Sequence, residues 1–77
     1  MAMLSLTPTQ LALLETLDGR RLTHYKDAAI AIGKDNGPVM RSLRSLEDKG
    51  LAVANAAGDS FKRTSAGSSE IKVRLHN

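Results

Sequence analysis

Residues 28–51 read AAIAIGKDNGPVMRSLRSLEDKGL, an apolar helical pattern that breaks at Gly33 and resumes after Pro38. Gly33 suits a helix stop, Asp35 or Asn36 can cap a new helix, and Pro38 fits a first turn, where a missing N–H is harmless. The stretch therefore predicts two helices, about residues 24–32 and 36–49, with a connection so short that they must cross sharply. Thr23 is the expected cap of the first and Gly50 the stop of the second. At about 100° per residue, Val39, Leu43 and Leu46 fall within roughly 60° of one another and form a core stripe. Gly37, Arg41, Arg44, Ser45 and Asp48 lie opposite, with Met40 at the border. The question is what those two arginines face.

Upstream, Thr7-Pro8-Thr9-Gln10 is a capping box, with Thr at the N-cap, Pro at the first helical position and Gln three residues on. Leu11, Leu14 and Leu17 then make an apolar stripe with Leu13 at its edge, and Gly19 ends a helix over about 8–18. Arg20-Arg21-Leu22 reads as a short extended link. Downstream, Leu51–Asn55 and Ser60–Thr64 read as two strands around the turn formers Ala56-Ala57-Gly58-Asp59, a hairpin over about 51–64. Residues 65–69, SAGSS, suit a loop or a weak helix start. The segment 70–75 is a strand or a short helix; the period-2 alternation of Ile71-Lys72-Val73-Arg74-Leu75 favours the strand.

A chain of 77 residues holds one small domain, whose stability at roughly 0.05–0.15 kcal/mol per residue is about 4–11 kcal/mol. Cysteine is absent, so neither a disulfide nor a thiolate metal site is available, and His24 and His76 are too isolated to make a ligand set. Neither a metal nor a cofactor is expected. The acids Glu15, Asp18, Asp27, Glu47 and Asp48 are scattered as solvated helix charges are. No nucleophile–base pair or phosphate-binding glycine loop is visible, so a non-enzyme is expected. No apolar run approaches the ~20 residues of a membrane span, and MAMLSLTP lacks the basic start of a signal peptide. A soluble cytoplasmic protein without a membrane partner is the expectation. Over residues 1–59 the basic and acidic side chains cancel, seven of each. The net charge of +3 therefore comes from Lys62, Arg63, Lys72 and Arg74 against Glu70, a basic region able to sit against phosphate.

Three helices with a tight second turn, followed by a hairpin, is the order of a winged helix-turn-helix, an α+β fold. Ala29, Gly33 and Val39 have the spacing of such units: a small residue at the helix crossing, glycine at the turn and β-branched packing in the third helix. RSLRSLEDKGLAV followed by GDSFKRTSAG resembles the MarR-like winged-helix regulators, whose third helix ends in a Leu-Glu-x-x-Gly-Leu phrase and whose wing returns into Thr-x-x-Gly. The resemblance covers most of residues 7–67. The chain departs from that family in lacking its long flanking dimerisation helices and in the Asn36-Gly37-Pro38 start of its third helix.

The resemblance implies a double-stranded DNA-binding transcriptional regulator whose third helix enters the major groove. Arg41 and Arg44 would fork onto guanine O6 and N7. Gly37 would admit close backbone approach, Ser45 would make a short polar contact and Met40 would touch a thymine methyl. Lys34 and Asn36 at the turn, with Lys62 and Arg63 on the hairpin, complete the candidate set, the basic ones suiting phosphates. Lys62 and Arg63 alternate on a strand, so one is expected to point to solvent or DNA and the other sideways, with either able to be the contact. The competing reading pairs Arg44 with Asp48 or Glu47, worth only ~0.2–0.5 kcal/mol, and leaves Arg41 unexplained. A homodimer is expected for useful affinity, and the small size suits a compact regulator such as phages and mobile elements encode. The alternative function is a protein-interaction module docking on a partner or host protein. It is kept in view by Asp48, which lies on the presumed reading face.

Overall fold

In the computed structural model, which describes residues 5–75, the Thr7 side chain accepts from the Gln10 N–H and the Gln10 side chain accepts from the Thr7 N–H, both at about 3 Å. The capping box thus starts helix α1, Pro8–Thr16. The helix stops two residues before the predicted end. Leu17 turns extended (φ −67°, ψ 142°), which buries its side chain, and the Asp18 carboxylate then accepts the Arg20 and Arg21 N–H groups to build the turn. Leu13, placed at the edge of the stripe by periodicity, is fully buried, whereas Leu11 is half-buried.

Strand β1, Thr23–His24, leads directly into α2, Tyr25–Ile32. Thr23 is not the cap, as expected above: it is held in the sheet opposite Phe61, and His24 Nδ1 accepts the Lys26 N–H instead. Gly33 ends α2 in the left-handed region (φ 67°), as its position predicts. Helix α3, Asn36–Asp48, follows with Asp35 at the cap position, although the Asp35 side chain makes no capping bond. Its end is a Gly50 turn (φ 76°), in which the Leu51 N–H bonds the Leu46 carbonyl at 3.0 Å.

The hairpin is β2, Ala52–Ala54, and β3, Ser60–Arg63. With β1 on the far side of β3 it forms a three-stranded antiparallel sheet of order β1-β3-β2. The core is Leu13, Leu14 and Leu17 of the α1 region, Ala28 and Ala29 of α2, Val39, Leu43 and Leu46 of α3, and Leu51, Ala52 and Phe61 from the hairpin side. Four helices and this sheet make an α+β architecture compatible with a winged-helix-like fold.

The favoured strand at the C-terminal end is corrected to helix α4, Ser65–Leu75. Thr64 decides it. Its Oγ1 accepts the Gly67 N–H at 3.1 Å and donates to the Gly50 carbonyl at 2.7 Å, so one hydroxyl starts α4 and ties it to the end of α3. Gly67 lets the new helix approach the chain: a Cβ there would stand 2.2 Å from the Leu51 carbonyl oxygen. Ile71 and Val73 cost a few tenths of a kcal/mol each as helix residues, which this docking outweighs. Among the described residues no helix is long and apolar enough to cross a membrane. His76 and the first four residues lie outside the described residues.

Candidate nucleic-acid interface

Helix α3 presents two distinct faces. Val39, Leu43 and Leu46 are fully buried, and Gly37, Arg41, Arg44 and Asp48 are exposed on the opposite side, as the helical period predicts. Neither Arg41 nor Arg44 makes a hydrogen bond or ion pair within the described residues; the ion pairs there are His24–Asp59 and Arg74–Glu70. Glu47 and Asp48 are within a helical turn of Arg44 yet leave its guanidinium unengaged. The turn before α3 adds exposed Lys34, and α3 itself opens on exposed Asn36. Gly37 has open space around it, since a Cβ would meet nothing within 4 Å beyond its chain neighbours. Its glycine has a local cause as well: the residue before a proline is pushed out of helical geometry by contact between its Cβ and the proline ring. Without a Cβ, Gly37 can stay helical ahead of Pro38.

Ser45 is placed differently from the sequence expectation, and the positions of Met40, read at the border of two faces, and of Arg63, read as one of two alternating residues, are decided. Ser45 faces α1, not the open side. Its Oγ accepts from Gln10 Nε2 at 3.0 Å and from Lys49 Nζ at 2.9 Å. Met40 is half-buried against the core, so only part of its side chain is presented. Arg63 turns inward: its Nη1 donates to the Leu14 carbonyl at 3.2 Å and its Nε to Ser68 Oγ at 3.1 Å. The guanidinium thereby satisfies a carbonyl near the end of α1 and clamps α4 in the same reach. Lys62 takes the other side of β3, where it pairs with Val53 on the outward face of the sheet. The alternation expected for these two residues is therefore resolved, with Lys62 outward and Arg63 inward.

The hairpin tip is acidic, not basic. Asn55 organises it by accepting the Asp59 and Ser60 N–H groups, while its amide donates to the Asp59 carboxylate at 3.0 Å. That hydrogen bond, with His24 3.8 Å away, holds the Asp59 carboxyl below its ordinary value. Asp18 is lowered likewise, by the Arg20 and Arg21 N–H groups it accepts. His24, stacked on Tyr25, joins the base of the hairpin to the start of α2. Sequence reading missed the part played by Gln10 and Lys49. The Ser45–Lys49 spacing of four residues signals a helical contact, but nothing local signals the contact with Gln10, thirty-five residues away in sequence.

No group of three His, Asp or Glu side chains is placed to hold a metal ion among the described residues. The α3 side carries exposed Lys34, Arg41 and Arg44 together with exposed Asp35, Glu47 and Asp48, with open space at Gly37.

No known protein family matches the chain, and no curated protein matches it. Among solved structures the chain is similar to the YusO protein from Bacillus subtilis, with a TM-score of 0.79 at 22% identity. The likeness covers 92% of this chain and 54% of that one, so the chain spans about half the length of that protein, and what they share is the fold.

Proposed function

We propose that this chain is a winged helix-turn-helix protein of the MarR-like kind that binds double-stranded DNA as a transcriptional regulator. Helix α3 enters the major groove and reads bases with Arg41 and Arg44, while Lys34 and Lys62 contact phosphates. One observation carries the reading. Two arginines stand on the exposed face of α3 with no acid of the described residues engaged, although Glu47 and Asp48 lie within a turn of Arg44. An unengaged guanidinium keeps its planar set of donors for a guanine edge or a phosphate.

The protein measures 33 × 24 × 18 Å, so one copy covers about one duplex turn of ~34–36 Å. A homodimer on two half-sites is part of the proposal, as is action in the cytoplasm.

The test is a fluorescence-anisotropy titration against a random duplex pool and against duplexes selected from it, over a salt series. DNA binding predicts an affinity that falls steeply as salt rises. No binding to either duplex at 50 mM salt would sink the proposal. The second reading, a protein-docking module, is favoured by exposed Glu47 and Asp48 on α3 and by a hairpin tip whose charged residue is Asp59, not a lysine or arginine. A partner held at high salt, with no duplex bound at low salt, supports it.

A further inference from the structure

Gln10 uses both ends of its side-chain amide. Oε1 accepts the Thr7 N–H and closes the capping box, and Nε2 donates to Ser45 Oγ in the last turn of α3. Hydrogen bonding fixes which end is which, because a flipped amide would set Nε2 against another donor at Thr7. Lys49 Nζ donates to the same Ser45 oxygen from one turn further along, so that oxygen accepts from two donors at once. The core stripe of α3 consists of three residues, Val39, Leu43 and Leu46, whose apolar burial is non-directional. A hydrogen bond depends on both distance and angle. Among the described residues the Gln10–Ser45 bond therefore adds a directional side-chain hydrogen bond between α1 and α3 to the packing of their core side chains.

We propose that Gln10 and Ser45 are positioning residues that set the rotation of α3 about its axis and so the presentation of Arg41 and Arg44 to a partner. The proposal rests on the DNA reading above only for the identity of that partner. Arg41 lies one turn before Ser45 on the same helix, and Arg44 immediately precedes it. At the ~5–6 Å outer radius of a helix, a 10° rotation displaces a side chain by about 1 Å. That exceeds the ~0.5 Å tolerance of a well-aligned contact constellation. Ser45, expected from its helical position to touch DNA itself, acts one step behind the residues that would.

The test compares wild-type protein with Ser45→Ala, which leaves the capping box intact, and with Ser45→Thr, which restores the oxygen. Residual dipolar couplings of the α1 and α3 amides, measured without DNA, report the relative orientation of the two helices. The expected result is an altered or averaged α3 orientation in Ser45→Ala, recovered in Ser45→Thr. Unchanged couplings in Ser45→Ala overturn the proposal. The second arm uses a duplex selected by the wild-type protein and a random duplex. Ser45→Ala should lose about tenfold in its preference for the selected duplex, the size of one well-aligned base contact, with the salt dependence unaltered. Equal loss on both duplexes would mark a merely structural role and overturn it. If the wild-type protein selects no duplex, the DNA reading fails, while the couplings still decide the tether.

Discussion

Replacing Arg41 and Arg44 together by alanine separates a binding surface from a folding element. Both side chains are exposed and make no bond to the rest of the described residues. Their removal leaves no buried group unsatisfied and opens no cavity. Folding stability should therefore change by no more than about 0.5 kcal/mol, measured by urea denaturation. Binding should change far more. A bidentate arginine–guanine contact is worth about 1–3 kcal/mol of discrimination, so two give about 2–6 kcal/mol, roughly a 30-fold to 10⁴-fold loss on a selected duplex. Salt dependence identifies the atoms contacted. If the arginines meet phosphates instead, affinity falls on every duplex and the slope of log K against log salt drops by about 0.9 for each lost contact. Anisotropy titrations from 50 to 200 mM salt, on selected and random duplexes, distinguish the two. A double variant that binds within threefold of wild type with the same slope would refute the assignment of this face. A loss of stability above about 1.5 kcal/mol would show instead that the arginines support the fold.

Lys62 and Arg63 are adjacent in sequence but should behave oppositely. Lys62→Ala should lower the salt slope by about one without changing the melting temperature. Arg63→Ala should lower unfolding free energy by about 1–3 kcal/mol in urea titrations, because it leaves the Leu14 carbonyl and Ser68 without their charged donor. The reverse pattern would contradict the inward placement of Arg63. Gly67→Ala sets a Cβ against the Leu51 carbonyl oxygen, backbone that cannot swing aside. The expected cost is at least about 2–3 kcal/mol, and a thermal melt should fall by roughly 10–20 °C; a drop under about 3 °C would show that α4 does not pack there. The lowered carboxyl values of Asp18 and Asp59 in the folded protein set the sign of acid sensitivity. Their contribution is fully present above the unfolded carboxyl value of about 3.9 and is lost as pH falls through the lower folded values. Urea unfolding from pH 6 to pH 2 should show stability declining below about pH 4, with a shallower decline in Asp59→Asn. An identical acid limb in that variant would remove Asp59 from the account.

Where information was local, the chain could be read directly. The capping box at Thr7 and Gln10, the left-handed stop at Gly33 and the buried stripe of α3 all depend on residues within a turn of one another, and each appears as expected. The exposure of Arg41 and Arg44 follows from the same 3.6-residue period. Element ends were less legible. Leu17 leaves α1 early because burial of its side chain and the Asp18 turn compete with one more helical turn.

The C-terminal segment shows the limit most clearly. Five residues of alternating Ile71–Leu75 suit a strand as well as a helix, and local propensity differs by only tenths of a kcal/mol per residue. The choice was made elsewhere, by a Thr64 hydroxyl that reaches Gly50 and by the space that Gly67 leaves for Leu51. The candidate surface divides in the same way. Sequence determined that Gly37, Arg41, Arg44 and Asp48 of α3 point away from the core, because helical geometry is a property of the segment alone. Only the tertiary structure decided that Ser45 is held by Gln10 and that Arg63 is turned in to Leu14, leaving Lys62 as the outward base of the hairpin. Those contacts join positions thirty-five and forty-nine residues apart, and no local period encodes which distant partner a side chain meets when the chain closes.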